Sequence, residues 1–173
     1  MQTFTRRGFQ LRTASFETRV AYTWFLVLVV LGLATLVALA ARVGLTPGAI
    51  ATYYRGDDTE MSFPKTFWQL VETSHFHLFT VPVVVLILSH LLYGTPTSAR
   101  LRVRLTLVTF TGALLEAIGP WLVRYVAGAM AYALLLGWVL LVAGAVAILI
   151  VTLMSMWAPE RWIGWFSAPP EGQ

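Results

Sequence analysis

From about Val20 to Ala41 the chain carries no charged side chain. Few structures accommodate such a run. About 20 residues of helix cross the ~30 Å hydrocarbon core of a bilayer, and a helix satisfies its backbone polar groups within the segment. Three further runs share this character. One extends from about Phe67 to Tyr93, polar at its start and apolar from Phe76. Another, about Leu105 to Val123, carries Glu116 and invites a break at Gly119-Pro120. The last, about Ala127 to Trp157, is uncharged and longer than one crossing, so it should tilt or protrude. The pattern predicts an all-α fold, an integral membrane four-helix bundle forming a single membrane domain over residues 1–173. Only 12% of the residues are charged, against about a quarter in soluble domains, too few to cover a water-facing surface.

The cations set the expected direction. Arg6, Arg7, Arg12 and Arg19 precede the first run, Arg100, Arg102 and Arg104 lie between the second and third, and Arg161 follows the fourth. Only Arg42, Arg55, Lys65 and Arg124 fall in the other two loops. Cytoplasmic loops collect Lys and Arg, so both termini are predicted inside, and the protein is expected to be multi-pass in a bacterial inner membrane. Ala38-Leu39-Ala40 looks like a signal-peptidase site, but the apolar run before it exceeds a typical signal core, so the first span is expected to be retained. Trp24, Trp68, Trp121, Trp157, Trp162 and Trp165 lie near span ends, where indole rings favour the headgroup layer. Phe4, Phe9, Leu11 and Phe16, interleaved with arginines, fit either a short surface helix or an unstructured basic tail. Thr46-Pro47 is a start signal for a short outer helix, and Ser62-Phe63-Pro64 for the second span.

Several chemistries are excluded. With no cysteine there are no disulfides, thiolate nucleophiles or Cys-bound metals. The net charge of +4 sits in loop blocks flanking apolar runs and so reads as topology, not nucleic-acid binding. No phosphate-binding glycine loop, nucleophile–base pair or zinc-protease motif is present. Ala129, Ala133 and Gly137 at four-residue spacing, with Gly144 beyond, form a small-residue stripe on which another helix, in this chain or a partner, can pack closely.

Polar groups inside the spans are few. All three histidines, His75, His77 and His90, lie on the second span with Glu72, while the third span holds Glu116. Ionisable groups at membrane depth are costly and mark function by default. At about 100° per residue, His75 and His90 fall about 60° apart on one face and ~22 Å apart along the axis, with His77 more than a quarter-turn away. Pro82 lies between them and can kink the helix. Three arrangements stay open. The histidines can ligate b-type haem, with Met130 near one end of the fourth span and Met154 or Met156 near the other as further axial ligands, or with ligands from a partner chain. Glu72-x-x-His75, joined by Glu116, has the carboxylate–imidazole composition of a helical metal site. Or Glu72 and Glu116 pair with Arg124, Lys65 or histidines and fix helix register without any cofactor.

Two resemblances bear on the choice. Histidines near opposite leaflets on one helix face resemble membrane b-type cytochromes, although fifteen residues separate His75 from His90 where about fourteen is typical there, and no other span supplies a histidine. Phe63-Pro64-Lys65-Thr66 followed by Glu72-Thr73-Ser74-His75-Phe76-His77, with His90 beyond, resembles a signature of small four-helix bacterial inner-membrane proteins, a likeness of about 30 residues that implies a histidine motif but no activity. The expected function is therefore a membrane subunit of an electron-transfer complex rather than a free-standing enzyme. It would hold b-type haem through the second helix, and pass electrons between a periplasmic cytochrome and quinone within a homodimer or with other membrane subunits. The alternative is a cofactor-free accessory subunit that anchors a larger complex through the fourth-span stripe.

Overall fold

A computed structural model describes residues 10–57 and 61–159. Its elements are a 3-10 turn at Leu11–Thr13, α1 (Phe16–Val43), α2 (Pro47–Arg55), α3 (Phe67–Tyr93), α4 (Ala99–Tyr125), a second 3-10 turn at Gly128–Met130, and α5 (Ala131–Trp157). Four helices, α1, α3, α4 and α5 with its preceding turn, are long and apolar enough to cross a membrane. Among the described residues there is no strand, only a single bridge between Asp57 and Ser62. Helices of 27 or 28 residues extend ~40 Å at 1.5 Å per residue, beyond the ~30 Å core, so their ends reach the headgroup layers or the helices tilt.

Capping residues define the starts. Ser15, Thr46, Thr66 and Ser98 each accept a backbone N–H three residues on, and Gln69 closes a reciprocal capping box with Thr66. Such side chains satisfy donors that the first turn leaves free. Pro47 opens α2 as anticipated, whereas α3 begins at the Thr66 cap instead of at Ser62-Phe63-Pro64. The α1–α2 corner needs Gly44, whose φ of 103° suits glycine, and a β-carbon there would overlap the Ala49 side chain. The third span differs from its sequence reading at both ends. It begins at Ala99, with the three arginines inside the helix, and it passes through Gly119-Pro120 without a break.

The closest helix pair is α4 with α5. Gly112 and Gly119 face Gly137, Leu141 and Leu134, and a β-carbon on Gly119 or Gly137 would come within 2.7 Å of Leu134 Cδ1 or Leu115 Cβ. Small residues let membrane helices approach backbone to backbone. The stripe on the fourth span is thus partly used inside the chain: Gly137 and Gly144 meet α4, while Ala129 lies exposed in the preceding turn.

Both ends of the bundle are tied by polar contacts. At one end Leu11 N–H donates to Gly94 O (2.9 Å), Arg19 Nη1 to Met156 O (3.2 Å) and Trp157 Nε1 to Thr23 Oγ1 (3.0 Å). Leu11 is buried there and Phe16 exposed; Phe4 and Phe9 lie outside the described residues. At the other end, α2 folds over the bundle. Arg55 Nη1 donates to Val123 O (3.1 Å), and Arg124 Nε to Lys65 O (2.9 Å). Helix α1 is the loosest member. Leu26 and Val29 pack with Leu88, Leu91 and Ile148 toward the first end, and Ala40 and Val43 with Ile50 and Trp138 toward the second. Between these contacts Leu36 packs against the cluster of Val85, Ala113 and Leu141.

Candidate functional site

One face of α3 turns into the bundle. Leu70, Ser74, His77, Val81, Val85 and Leu88 recur every three or four residues and are buried or half-buried, whereas His75, Phe76, Phe79 and Val83 are exposed. This is the helical period read on a single face. On α4 the corresponding face is Thr109, Gly112, Ala113, Glu116, Ala117 and Pro120, all buried. His77 and Glu116 are the ionisable members of these two faces, and they meet.

His77 Nδ1 lies 2.5 Å from Glu116 Oε1, in a short, charge-assisted contact. The Glu116 side chain is 6% exposed and that of His77 27%. Among the described residues Glu116 Oε2 has no hydrogen-bond partner. Pro120, four residues on, has no N–H to offer the Glu116 carbonyl. One turn before His77, Ser74 Oγ accepts from Trp121 Nε1 at 2.7 Å, a second polar link between α3 and α4. His77 is ten residues past Phe67, or ~15 Å along the helix, and Glu116 nine before Tyr125, ~14 Å.

Two spaces meet at this pair. One, of about 290 Å³, lies under α2 and is the more polar of the two, lined by Tyr53, Tyr54, Lys65, Gln69, Glu72, Thr73 and Ser74 along with Leu36, Ala40 and Trp138. Lys65 Nζ sits 4.2 Å from the Tyr53 ring centre. Burial, then Tyr53 and the Glu116 carboxylate, push the Tyr54 phenol above its ordinary range, so it remains a neutral hydroxyl. The other, of about 570 Å³, is a cleft between α1 and α3, walled by Phe25, Leu28, Gly32, Leu33, Thr80, Val81 and Val84. His77 and Glu116 line both spaces and, among the described residues, are the only ionisable side chains lining the cleft.

The other residues singled out in the sequence are dispersed. His75 is exposed, against the rings of Phe76 and Phe79 on its own helix, and His90 is exposed near the far end of α3. Met130 packs beside Ile50 and Val123 at the α2 end, apart from the aromatic setting of His75, and Met154 is half-buried near the end of α5. Glu72 is exposed on the wall of the polar cavity. Glu116 meets His77 instead of joining Glu72 and His75, and among the described residues no three His, Asp or Glu side chains converge as a metal-ligand group. Angles measured from His75 and His90 set His77 aside. The recurring small and polar positions on α3 and α4 were the signal that identifies it as the inward histidine.

No curated relative and no solved structure matches the chain. Residues 44–162 match the family model Aq_1264_TM, a transmembrane helical domain. The match takes in α2 to α5, and with them both residues of the pair, while α1, one wall of the cleft, precedes it. This chain belongs to the Aq_1264_TM family of transmembrane helical domains.

Proposed function

We propose that the protein is a membrane subunit of an electron-transfer assembly, in which His77 and Glu116 exchange protons between the polar cavity and the lipid-facing cleft. One observation carries this reading: the same two side chains line both spaces. An imidazole touching a carboxylate can hold one proton between them, and imidazole changes charge near physiological pH. A buried carboxylate with one unpartnered oxygen is expensive as a purely structural device. The arginine bias orients the bundle with both termini and the α3–α4 loop in the cytoplasm of a bacterial inner membrane, which opens the polar cavity toward the periplasm.

Infrared difference spectroscopy of the full chain in nanodiscs tests the proposal. A carboxyl band that shifts in deuterium oxide, as an exchanging proton requires, should be present and should vanish in Glu116→Gln. A wild-type spectrum with no exchangeable carboxyl band would refute it.

A second reading rests on the same contact. Histidines that bind metals commonly give their other ring nitrogen to a carboxylate, which fixes the ring. His77 held through Nδ1 leaves Nε2 as a ligand for haem iron, and because His75, His90, Met130 and Met154 lie elsewhere in the bundle, the second axial ligand would come from a partner chain. A b-type absorption band after haem-replete expression, lost in His77→Ala, supports this version, and a featureless spectrum removes it.

A further inference from the structure

The end of the bundle that holds the α3–α4 loop is rich in cations. Among the described residues Arg12, Arg19, Arg100, Arg102 and Arg104 gather there with a single acid, Glu17 in the first turn of α1, which forms no ion pair with any of them. Three of the arginines are engaged. Arg19 donates to the Met156 carbonyl and lies over the Trp157 ring, 4.9 Å from its centre. Arg102 is half-buried and donates to the Tyr93 carbonyl at 3.0 Å, and Arg12 also has a partner. Arg100 and Arg104 differ. Both are exposed, and among the described residues neither makes a hydrogen bond, ion pair or ring contact. They stand four residues apart in the first two turns of α4, on one face of the helix, with β-carbons about 5–6 Å apart. Like charges so placed repel, and an anion held between them reverses the sign.

Their level selects the anion. The 27 residues of α4 extend ~40 Å against a core of ~30 Å. Arg104 is five residues past Ala99, or ~7.5 Å along the helix, and charge is costly in hydrocarbon, so both guanidinium groups sit in the headgroup layer. The anions fixed at that level are lipid phosphates. Below the arginines the same exposed face is apolar: Leu107 is 61% exposed and Leu114 57%. We propose that Arg100 and Arg104 bind the phosphate of an anionic phospholipid whose acyl chain lies along Leu107 and Leu114. A lipid such as phosphatidylglycerol fits, because no ammonium in its head offsets the phosphate, whereas phosphatidylcholine carries one. Guanidinium groups offer paired N–H donors to phosphate oxygens. The site uses neither His77 nor Glu116, and it holds for either direction of the bundle in the membrane.

Native mass spectrometry of the full chain, released from micelles containing equal amounts of phosphatidylglycerol and phosphatidylcholine, tests the site. The wild type should retain phosphatidylglycerol at least ~10-fold over phosphatidylcholine, the scale of two arginine contacts to an anionic lipid. Arg100→Gln and Arg104→Gln should each lower that preference by ~3-fold or more, and the double variant should abolish it. Arg42→Gln removes an exposed cation in the last turn of α1, at the opposite end of the bundle, and should leave the preference unchanged. Circular dichroism reports whether each variant folds, and if the double variant fails the single ones decide. The inference is overturned if the wild type retains both lipids alike, if the folded variants keep the wild-type preference, or if Arg42→Gln lowers it as much as they do. It is also overturned if excess inorganic phosphate strips the lipid, which would identify a site for the free anion instead.

Discussion

Replacing Glu116 by leucine separates a working pair from a structural clamp. The residue is 5% exposed, makes one short contact to His77 and leaves Oε2 unpartnered among the described residues. If the pair existed to hold α3 on α4, removing one member would cost about 3–5 kcal/mol, the usual penalty for breaking a buried ion pair. The geometry points to a smaller effect. His77 is partly exposed to the polar cavity, so after substitution it can become neutral and be hydrated, at a cost of about 1–3 kcal/mol at most for an incompletely satisfied group. Leucine in turn removes the orphaned oxygen and buries apolar atoms in its place, which recovers about 1 kcal/mol or more. The expected net change is within about 1 kcal/mol of wild type. Reversible unfolding in bicelles, followed by tryptophan fluorescence, measures it. A loss above about 3 kcal/mol, the lower bound for breaking a buried ion pair, would show that the contact is chiefly architectural and refute the reasoning from cost.

Other substitutions probe the frame around the site. Gly112→Leu should destabilise by at least about 2–3 kcal/mol, because its side chain would be driven into the α5 backbone at Leu141, and the same unfolding assay reads it. Gly32→Ala, where a β-carbon meets nothing, should be neutral or stabilising by up to about 1 kcal/mol. Gly44→Ala combines a φ of 103° with overlap on Ala49 and should lose at least about 1–2 kcal/mol, with protease sensitivity at the α1–α2 corner as a second readout. Trp121→Phe removes the 2.7 Å hydrogen bond to Ser74 and should cost about 1 kcal/mol without altering helix content by circular dichroism.

The helices themselves were legible because the bilayer demands long apolar runs, and α3 falls at Phe67–Tyr93 as read. Where sequence and structure part, the cause lies in charge and proline. Arg100, Arg102 and Arg104 look like loop, yet they belong to α4. Long cationic side chains extend to the interface from a helical backbone, and Arg102 Nη1 reaches the Tyr93 carbonyl at 3.0 Å. Pro120 does not end α4, because a membrane helix tolerates a lost hydrogen bond when neighbours pack the site, and Gly119 beside it lies against Leu134.

His77 was harder to find for a deeper reason. In water, hydrophobicity marks the inner face of a helix. In lipid both faces are apolar, and that contrast is lost: Phe76, Phe79 and Val83 face outward while Val85 and Leu88 face in. What remains is size and polarity. Gly112, Ala113, Glu116, Ala117 and Gly119 on α4, Gly137, Gly144 and Ala145 on α5, and Ser74 with His77 on α3 are small or polar and turn into the bundle, whereas Glu72, Thr73, His75, Thr80 and His90 stay exposed, so polarity alone did not separate His77 from its neighbours. The same rule explains why α1 leaves a cleft. It carries Gly32, Ala34, Thr35 and Ala38, but these are exposed, and its buried residues are Leu26 and Val29 toward one end and Ala40 and Val43 toward the other, with Leu36 packed on the bundle between them. A helix held mainly toward its two ends, with Gly32 and Thr35 lining the space at its middle, leaves room along α3 where the buried Glu116 side chain meets its histidine.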